Sequence, residues 1–574
     1  MKRNLSTTTT DAEQQQENFT ELPKRNKTMK NDHSSFVFNL SKLPSDVVLH
    51  SILPHYILNL DRYAFLYNKH KYDLCLLFMG KFHNHPSQIH LIFKNVSITS
   101  YKAVGRNGEV FNFFEKGILD RVLPSKLQSI SFLSNFFTQG TSVSTLPSII
   151  MESAMFLKHL NLTYQTTFKD VEQICSLKLL EHLRLSNSSI PLQEIVQILK
   201  SNAKLRCLEY CFPHPPPNEI IDSQILLSAF QERSSTLERL SLNGISGLTD
   251  SIVSKLLEIL PNLKVLSVQH SPHLTNQAFS NIEQNGKNLT FLDISGCENI
   301  TCPFKIVQAP NLRTIVMEEC DLTSKDVSIK NISCSACITD LSLESCVIKD
   351  EVFETIFSKF PSLTSLNLTN TRFVEERNIE TFFKNIQNLS DLKELNLTNC
   401  QFVSDALFSN IVKKDLKMLR VGGCTRLSDS CIPHLLKFEK LTELDIGKTK
   451  ISSEGVQSLL DHFKNTNTML DYLSIHQLNL KDSDILNIQG WSQIERLNLS
   501  KNRISDSGFK SLLKYSNLMF LNVSDNLITD SGIDNDLFTN KTLTGLILVA
   551  NRKITNKKRS QIVMKCTHIF DLHL

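Results

Sequence analysis

The sequence predicts an α/β solenoid, with a curved parallel sheet on its concave face, helices on its convex face and a small helical segment before the repeats. Three observations support this prediction. A Leu-x-x-Leu-x-Leu motif recurs along most of the chain, its copies are evenly spaced, and a turn and a helix-start signal follow many of them. About seventeen copies begin between Leu157 and Ile569, which gives a mean spacing of about 26 residues.

Each copy of the motif predicts one short strand and a tight turn. In the copy that begins at Leu289, Leu292 and Ile294 alternate around the polar residue Asp293, as a strand with one buried face requires. Eight residues after the first leucine, several copies carry a side chain able to bond the loop backbone from inside the turn. These residues are Cys297, Cys320, Cys346, Cys400, Cys424, Asn502, Asn526 and Asn551.

A helix-start signal follows the turn. An apolar residue precedes a Ser/Thr-Asp pair at Thr249-Asp250, Ser428-Asp429, Ser505-Asp506 and Thr529-Asp530. Serine and threonine suit the N-cap of a helix, because the side-chain oxygen accepts a hydrogen bond from the first free N–H groups. Each return segment is therefore predicted to be a short helix.

The repeats resemble the cysteine-containing subclass of leucine-rich repeats. The pattern of that subclass runs here from Leu289 through Cys297 to Ile300 and Thr301, and the resemblance covers most of residues 157–574. Taken as a whole, the repeats are similar to the repeat half of F-box proteins, the target-binding subunits of cullin-RING ubiquitin ligases. The resemblance implies a protein-binding solenoid whose strands line the concave face.

Composition favours a soluble intracellular protein. The chain has 574 residues, of which 41% are hydrophobic and 21% charged, and its net charge of +4 gives no strong bias towards nucleic acid. The first residues lack the apolar core of a signal peptide, and no run approaches the roughly 20 apolar residues that span a bilayer. We expect a cytoplasmic location, with nuclear import through the basic residues Lys24 to Lys27 as an alternative.

The chain is expected to divide into four parts. Residues 1–38 are rich in polar residues and predict a disordered tail. Residues 39–88 predict a helical segment, and residues 89–156 predict irregular first repeats, including a weaker unit at Leu127. Residues 157–574 predict the array of about seventeen repeats.

The segment from residue 39 to 88 resembles a degenerate F-box. In that family a Leu-Pro start with a following acidic residue leads into an amphipathic helix, and a later helix carries an Asn-Lys step, here Asn68-Lys69. The resemblance implies that the segment docks on the ligase adaptor. The candidate adaptor-binding residues are Leu43, Pro44, Val47, Val48, Ile52 and Leu53. The same apolar stripe also suits the N-terminal cap that a solenoid needs, and this second interpretation stays open.

No pattern predicts catalysis, a cofactor or a metal site. Cys334-x-x-Cys337 lacks a second pair of ligands with suitable spacing. His83, His85 and His90 are close in sequence, but no carboxylate or cysteine completes a recognisable ligand set. Five of the fourteen cysteines fall at one repeat position, so we expect buried, reduced thiols and a protein that is not an enzyme.

The concave face is the predicted binding surface for a protein partner. Its charges are mixed in sign, which argues against nucleic acid because a phosphate backbone requires a mainly basic surface. Large side chains at exposed strand positions can anchor a partner. The candidate partner-binding residues are Phe291, Arg313, Met418, Arg420, Tyr472, Arg496 and Phe520.

Three functions are compatible with these features. The preferred hypothesis is a substrate-recognition subunit of an SCF-type cullin-RING ubiquitin ligase, which directs a target to ubiquitination and proteasomal degradation. The second is a scaffold or inhibitor that binds one protein without any ligase, and the third is a regulator of small GTPases. In each case we expect a monomer within a hetero-complex, with no membrane contact.

Overall fold

The computed structural model describes most of the repeats and four strands before them. The described residues are 95–98, 102–104, 110–112, 129–132, 154–162, 168–186, 190, 192–211, 222–301, 306, 308–323, 337–374, 379–411, 415–566, 568–569 and 571–574. All of them lie in the compact unit Pro44–Leu574. The segments predicted as a tail and as an F-box or cap, residues 1–88, lie outside the described residues.

One parallel sheet runs through the described residues. Every copy of the motif from Leu157 onward contributes one strand to it, and each of these strands pairs with the strand of the next copy. Two earlier strands, β1 (Asn95–Ile98) and β4 (Ser129–Phe132), extend the sheet before β5. The strands of the copies are β5 (His159–Leu162), β6 (His182–Ser186), β7 (Cys207–Cys211), β8 (Arg239–Asn243), β9 (Val265–Ser267), β10 (Phe291–Asp293), β11 (Thr314–Val316), β13 (Asp340–Ser342), β15 (Ser365–Asn367), β17 (Glu394–Asn396), β18 (Met418–Arg420), β19 (Glu443–Asp445), β20 (Leu470–Ser474), β21 (Ile494–Asn498), β22 (Phe520–Asn522), β23 (Gly545–Ile547) and β24 (Asp571–His573).

Two smaller sheets accompany the main one. β2 (Lys102–Val104) and β3 (Val110–Asn112) form an antiparallel pair. β12 (Asp321–Leu322), β14 (Val347–Ile348) and β16 (Arg372–Phe373) form a parallel sheet just beyond the turns of three successive copies. This second parallel sheet was not predicted from the sequence.

Helices occupy the return segments. The α-helices are α1 (Phe168–Ser176), α2 (Leu192–Ser201), α3 (Ser223–Gln231), α4 (Asp250–Ile259), α5 (Ile282–Asn285), α6 (Asp350–Lys359), α7 (Ile379–Asn385), α8 (Asp405–Phe408), α9 (Ile432–Leu435), α10 (Ser453–Thr466), α11 (Asp482–Asn487), α12 (Asp506–Leu512), α13 (Asn535–Thr539) and α14 (Asn556–Lys565). Several return segments are 3-10 turns instead, for example Asn276–Phe279 and Asp530–Gly532. The predicted short helices are therefore confirmed where they form, and some are too short to complete an α-turn.

The motif leucines form one continuous core with the helices. In the copy at Leu363, the first, fourth and sixth residues are Leu363, Leu366 and Leu368, each at most 1% exposed. Side chains from the helices, such as Phe382 and Phe383 of α7, belong to the same buried cluster. Because strand residues alternate between two faces, the third and fifth residues of each copy lie on the face opposite this core. We call that side of the sheet, the predicted concave side, the open face.

The turn after the strand adopts a left-handed conformation in thirteen successive copies, those that begin at Leu237 through Leu543. In each of them the residue before the Cys/Asn position, from Gly244 to Ala550, has a positive φ. Only three of these residues are glycine, and the others include Glu319 (φ 55°), Lys448 (φ 52°) and Ala550 (φ 63°). A residue with a Cβ pays about 1 to 2 kcal/mol for this conformation, so stacking of the repeats must offset that cost.

Aspartates at the helix starts link consecutive repeats. The carboxylate of Asp506 accepts hydrogen bonds from both the backbone N–H and the hydroxyl of Thr529, at 2.7 Å each. Asp530 accepts the same pair of hydrogen bonds from Thr555, at 2.8 Å each. Of the Ser/Thr-Asp pairs predicted as N-caps, Ser428 and Thr529 each accept a backbone N–H with the side-chain oxygen. Thr249 and Ser505 occupy the N-cap position without such a bond. The aspartate, however, bonds to the next repeat, which is a second role that the sequence did not indicate.

Candidate functional site

The open face carries a row of large side chains across neighbouring strands in the C-terminal half. In the five copies that contain β18 to β22, the third residues of the motif lie side by side in register, at strand steps of about 4.8 Å. We call this set the C-terminal row. Its members are Met418, Glu443, Tyr472, Arg496 and Phe520.

The C-terminal row holds its own side chains in place. The guanidinium of Arg496 lies over the ring of Tyr472, with 5.1 Å between its central carbon and the ring centroid. Phe520 lies over Gly545 of the next strand, where an added Cβ would come within 2.3 Å of the phenyl ring. Glycine at residue 545 therefore makes room for Phe520. Arg496 is exposed, and Tyr472 and Phe520 are half-buried, so each retains surface for a partner.

Charged pairs border the row on one side. Arg420, the fifth residue of the copy that begins at Leu416, donates a hydrogen bond to the carboxylate of Glu443 in the row at 3.2 Å. His476 lies 3.6 Å from Asp445 just beyond β20. Burial lowers the pKa of His476 although the carboxylate of Asp445 acts in the opposite direction. This edge of the row is polar and already internally paired.

The structure divides the seven predicted partner-binding residues into two groups. Met418, Arg420, Tyr472, Arg496 and Phe520 lie together on β18 to β22. Phe291 on β10 and the exposed Arg313 just before β11 lie apart from them. Three copies lie between the two groups, and the third residues of their motifs are Asp340, Ser365 and Glu394. A partner that touches both groups must therefore cross a smaller and more acidic stretch.

Several polar residues of the open face serve the turns instead of a partner. The side-chain oxygens of Asn396 and Asn522 accept the backbone N–H two residues later, at 3.1 and 3.0 Å. Asn367 and Asn498 do the same at 3.1 Å. These bonds are made by the fifth residue of each copy, so these four side chains are engaged within their own turns.

The N-terminal strands present a denser pattern of ion pairs. Glu238 accepts hydrogen bonds from Lys264 and Arg206, which lie on either side of it along the sheet. Lys264 and then Arg206 lower the pKa of Glu238 to about 2. Arg184 lies 3.3 Å from Glu209 one strand away. Paired charges of this kind are compatible with a protein surface and do not provide the unpaired basic tract that a phosphate backbone needs.

The buried thiols at the turn position are poorly suited to nucleophilic chemistry. Burial raises the pKa of Cys297, Cys346 and Cys400 to about 12 each. Since the thiolate is the reactive form, these side chains stay protonated at neutral pH. They act as small core residues that donate hydrogen bonds to backbone carbonyls.

The predicted adaptor-binding residues Leu43, Pro44, Val47, Val48, Ile52 and Leu53 lie outside the described residues. Their role stays a prediction from the sequence. Among the residues that are described, no helix is long and apolar enough to cross a bilayer.

Comparisons with known proteins bear on the repeats. Among solved structures, the chain is similar to one from the Rad7 and Elc1 complex in yeast, at 18% identity over 59% of this chain and 86% of that chain, with a TM-score of 0.40. It is also similar to one from the mouse RP105/MD-1 complex, at 16% identity over 85% of this chain and 88% of that chain, with a TM-score of 0.41. No curated protein matches the sequence.

Two segments match a known repeat family. Residues 439–460 and 494–513 match the family described as Leucine Rich repeat. They cover β19 and β21 with the residues that follow these strands, in the region of the C-terminal row. The repeated strand, turn and return segment extend the same geometry across the described copies on both sides. The described copies therefore have the leucine-rich-repeat fold and stack into a parallel-sheet solenoid.

Proposed function

We propose that this protein binds another protein on the open face of its sheet, with the C-terminal row as the anchor. The observation that supports this proposal is the row itself. Tyr472, Arg496 and Phe520 lie opposite one another on three adjacent strands, and each is partly exposed. Aromatic residues and arginine are enriched in the cores of protein interfaces.

The surroundings of the row suit a folded protein or peptide. The stacked pair Tyr472 and Arg496 offers an apolar body with hydrogen-bond donors at its edge. Pairs such as Arg420 with Glu443 form a polar border, as the rim of an interface does. Because the strands hold these side chains in fixed register, little conformational entropy is lost when a partner binds.

The row can be tested by quantitative affinity capture from cell extract. The Tyr472→Ala/Phe520→Ala variant should lose proteins that the parent captures. A Leu486→Ala/Leu527→Ala variant should keep them, because it removes two exposed apolar side chains that lie outside the row, 60% and 50% exposed. Equal capture by all three proteins, with unchanged circular dichroism, would place the binding surface elsewhere.

For the finer function, we propose a substrate-recognition subunit of an SCF-type cullin-RING ubiquitin ligase. The support is the resemblance of residues 39–88 to an F-box, with Leu43-Pro44 at its start, together with a repeat array that follows in the same chain. The N-terminal segment would hold the adaptor while the open face captures the target, and partner proteins would carry out the ubiquitin chemistry.

Co-purification with the cullin adaptor tests the ligase proposal. The tagged parent should retain the adaptor, and a Pro44→Asp/Ile52→Asp variant should lose it. Pro23→Asp is a matched control, because Leu22-Pro23 repeats the Leu-Pro pair without the apolar stripe that follows Pro44. Absence of the adaptor from the parent would sink the ligase proposal and favour a scaffold or inhibitor, with residues 39–88 as the N-terminal cap.

A further inference from the structure

A second cluster of functional side chains lies at the N-terminal end of the described repeats, away from the C-terminal row. His159 and His182 are the third residues of the copies that begin at Leu157 and Leu180, and they lie opposite each other in register on β5 and β6. Their rings approach edge to face, with 4.5 Å between centroids. Glu181 precedes His182 and points to the same place, so that one donor atom from each of the three residues lies within 4.8 Å of the others.

We propose that His159, Glu181 and His182 form a binding site for a divalent transition-metal ion, with Zn²⁺ as the committed ion. Two imidazoles and a carboxylate are a ligand set that Zn²⁺ accepts, usually in tetrahedral geometry. This site was not predicted from the sequence, where no metal ligands were expected.

The spacing of the donors fits metal binding after a small adjustment. Ligand atoms bound about 2.0 to 2.1 Å from a tetrahedral zinc ion lie about 3.3 Å from one another. The three donors therefore need to close by no more than about 1.5 Å, which side-chain rotation at a surface can supply. The two strands fix the backbone positions, so the imidazoles are held together before the ion arrives.

The local charges also bear on the site. Lys158 donates a hydrogen bond to Glu181 at 2.8 Å and competes with an ion for this carboxylate. The nearby Arg206 is engaged by Glu238, so part of the positive charge around the site is balanced.

Three protein ligands leave a fourth coordination position. His159 is exposed on the open face, so this position is accessible to water or to a nitrogen or oxygen atom of a bound molecule. The site therefore offers a coordination point on the same sheet face as the C-terminal row, although the inference does not depend on the proposed function.

Calorimetric titration of the full chain with ZnCl₂, together with the absorption spectrum of added Co²⁺, tests this inference. The parent should bind one ion at this site, and bound Co²⁺ should show the strong visible absorption bands that are typical of tetrahedral coordination. The His159→Gln/His182→Gln variant should bind at least 100-fold more weakly. His476→Gln is the matched control and should keep parental affinity, because His476 has a carboxylate neighbour in Asp445 but belongs to no three-residue ligand group in the described part of the chain.

A gain-of-affinity variant adds a test that structural damage cannot imitate. Lys158→Met releases Glu181 from its ion pair and should tighten Zn²⁺ binding several-fold. Parental affinity in His159→Gln/His182→Gln would assign binding to other histidines, such as His83, His85 and His90, and would overturn the inference. So would a parent that binds no ion. The single variant His159→Gln, which changes an exposed side chain, supplies the same comparison if the double variant fails to fold.

Discussion

The cysteine-containing repeats in the middle of the chain and the asparagine-containing repeats near its end solve the same problem with different numbers of hydrogen bonds. In both regions the ninth residue of a copy donates a hydrogen bond to the backbone carbonyl of the sixth residue of the preceding copy. The thiol of Cys400 does so to Leu368 at 2.9 Å, and the amide of Asn502 does so to Ile475 at 3.0 Å.

The asparagines then do more. The amide group of Asn526 donates to Leu499, Val523 and Ser524, while its oxygen accepts the backbone N–H of Ile504 at 3.0 Å. Each asparagine thus ties two repeats and its own turn together. A thiol is a weak donor and a weak acceptor, so a cysteine at this position mainly fills space in the core. The comparison teaches that one repeat position tolerates two chemistries, but with different contributions to stability.

The largest expected effect comes from removing an asparagine. Asn526→Ala removes the hydrogen bonds that this side chain makes to two repeats and leaves the backbone N–H of Ile504 without its side-chain acceptor, so it should lower the free energy of unfolding by about 3 kcal/mol. Urea denaturation followed by circular dichroism measures the loss, and hydrogen exchange locates it in residues 494–551. Asn487→Ala is the control because Asn487 is exposed at the end of α11. Equal stability of the two variants would show that the hydrogen bonds of Asn526 do not stabilise the repeats.

Removing a cysteine should cost less. Cys400→Ala deletes one sulfur atom and one weak hydrogen bond from a fully buried position, for an expected loss of about 1.5 kcal/mol. The same urea denaturation measures it, with Cys337→Ala as the control at an exposed cysteine. A loss as large as that of Asn526→Ala would mean that the two kinds of repeat rely on this position equally.

The turn that precedes both kinds of residue should respond in the same way in both regions. Glu319→Gly and Ala550→Gly relieve a left-handed backbone at φ 55° and 63°, and each should raise the free energy of unfolding by about 0.5 kcal/mol. Thermal denaturation is the measurement. Gly423→Ala is the opposite control, since its Cβ would come within 2.0 Å of Asn399 Oδ1 at φ 77°. Opposite responses at Glu319 and Ala550 would show that the turns, too, differ between the regions.

The smallest effect is a dependence on pH at the last repeats. The backbone N–H and then the hydroxyl of Thr555 lower the pKa of Asp530 below its ordinary value of 3.8. A lowered pKa means that the carboxylate stabilises the fold above about pH 4, and that this contribution disappears as the pH falls through the folded-state pKa. The protection factor of the Thr555 amide against hydrogen exchange should therefore fall at low pH in the parent.

The Asp530→Asn variant separates this effect from general acid unfolding. The side-chain oxygen of the introduced asparagine still accepts a hydrogen bond but does not titrate. The loss of protection at the Thr555 amide at low pH should therefore vanish. Asp525→Asn changes an exposed carboxylate in the neighbouring turn and should behave like the parent. If Asp525→Asn removes the dependence instead, the link between Asp530 and Thr555 is not its source.

Much of the fold could be predicted from local pattern. Leu363, Leu366 and Leu368 are buried because alternation in a strand places them on one face, and this rule needs no distant information. The helix starts were also recognisable, although the links from Asp506 and Asp530 to the following repeat were not. The left-handed turns at Glu319, Lys448 and Ala550 were missed because residue type gives no signal for them there.

The candidate sites show the opposite balance. The sequence identified Tyr472, Arg496 and Phe520 as outward-facing residues, yet the stacking of Arg496 on Tyr472 and the space that Gly545 leaves for Phe520 depend on strand register. The approach of His159 to His182 was overlooked, although both occupy the third position of successive copies and that shared position was a usable signal.

From the amino-acid order alone follow the repeat unit, its buried face and the residues that point away from the core, because these depend on spacing within about 26 residues. The partners of each outward residue are set only when one copy stacks on the next. Stacking brings together side chains from different copies, and it also offsets the strain of the turns. The tertiary structure therefore decided which side chains lie side by side in the C-terminal row, which three residues come together at the proposed metal site, and which side chains form hydrogen bonds within the turns.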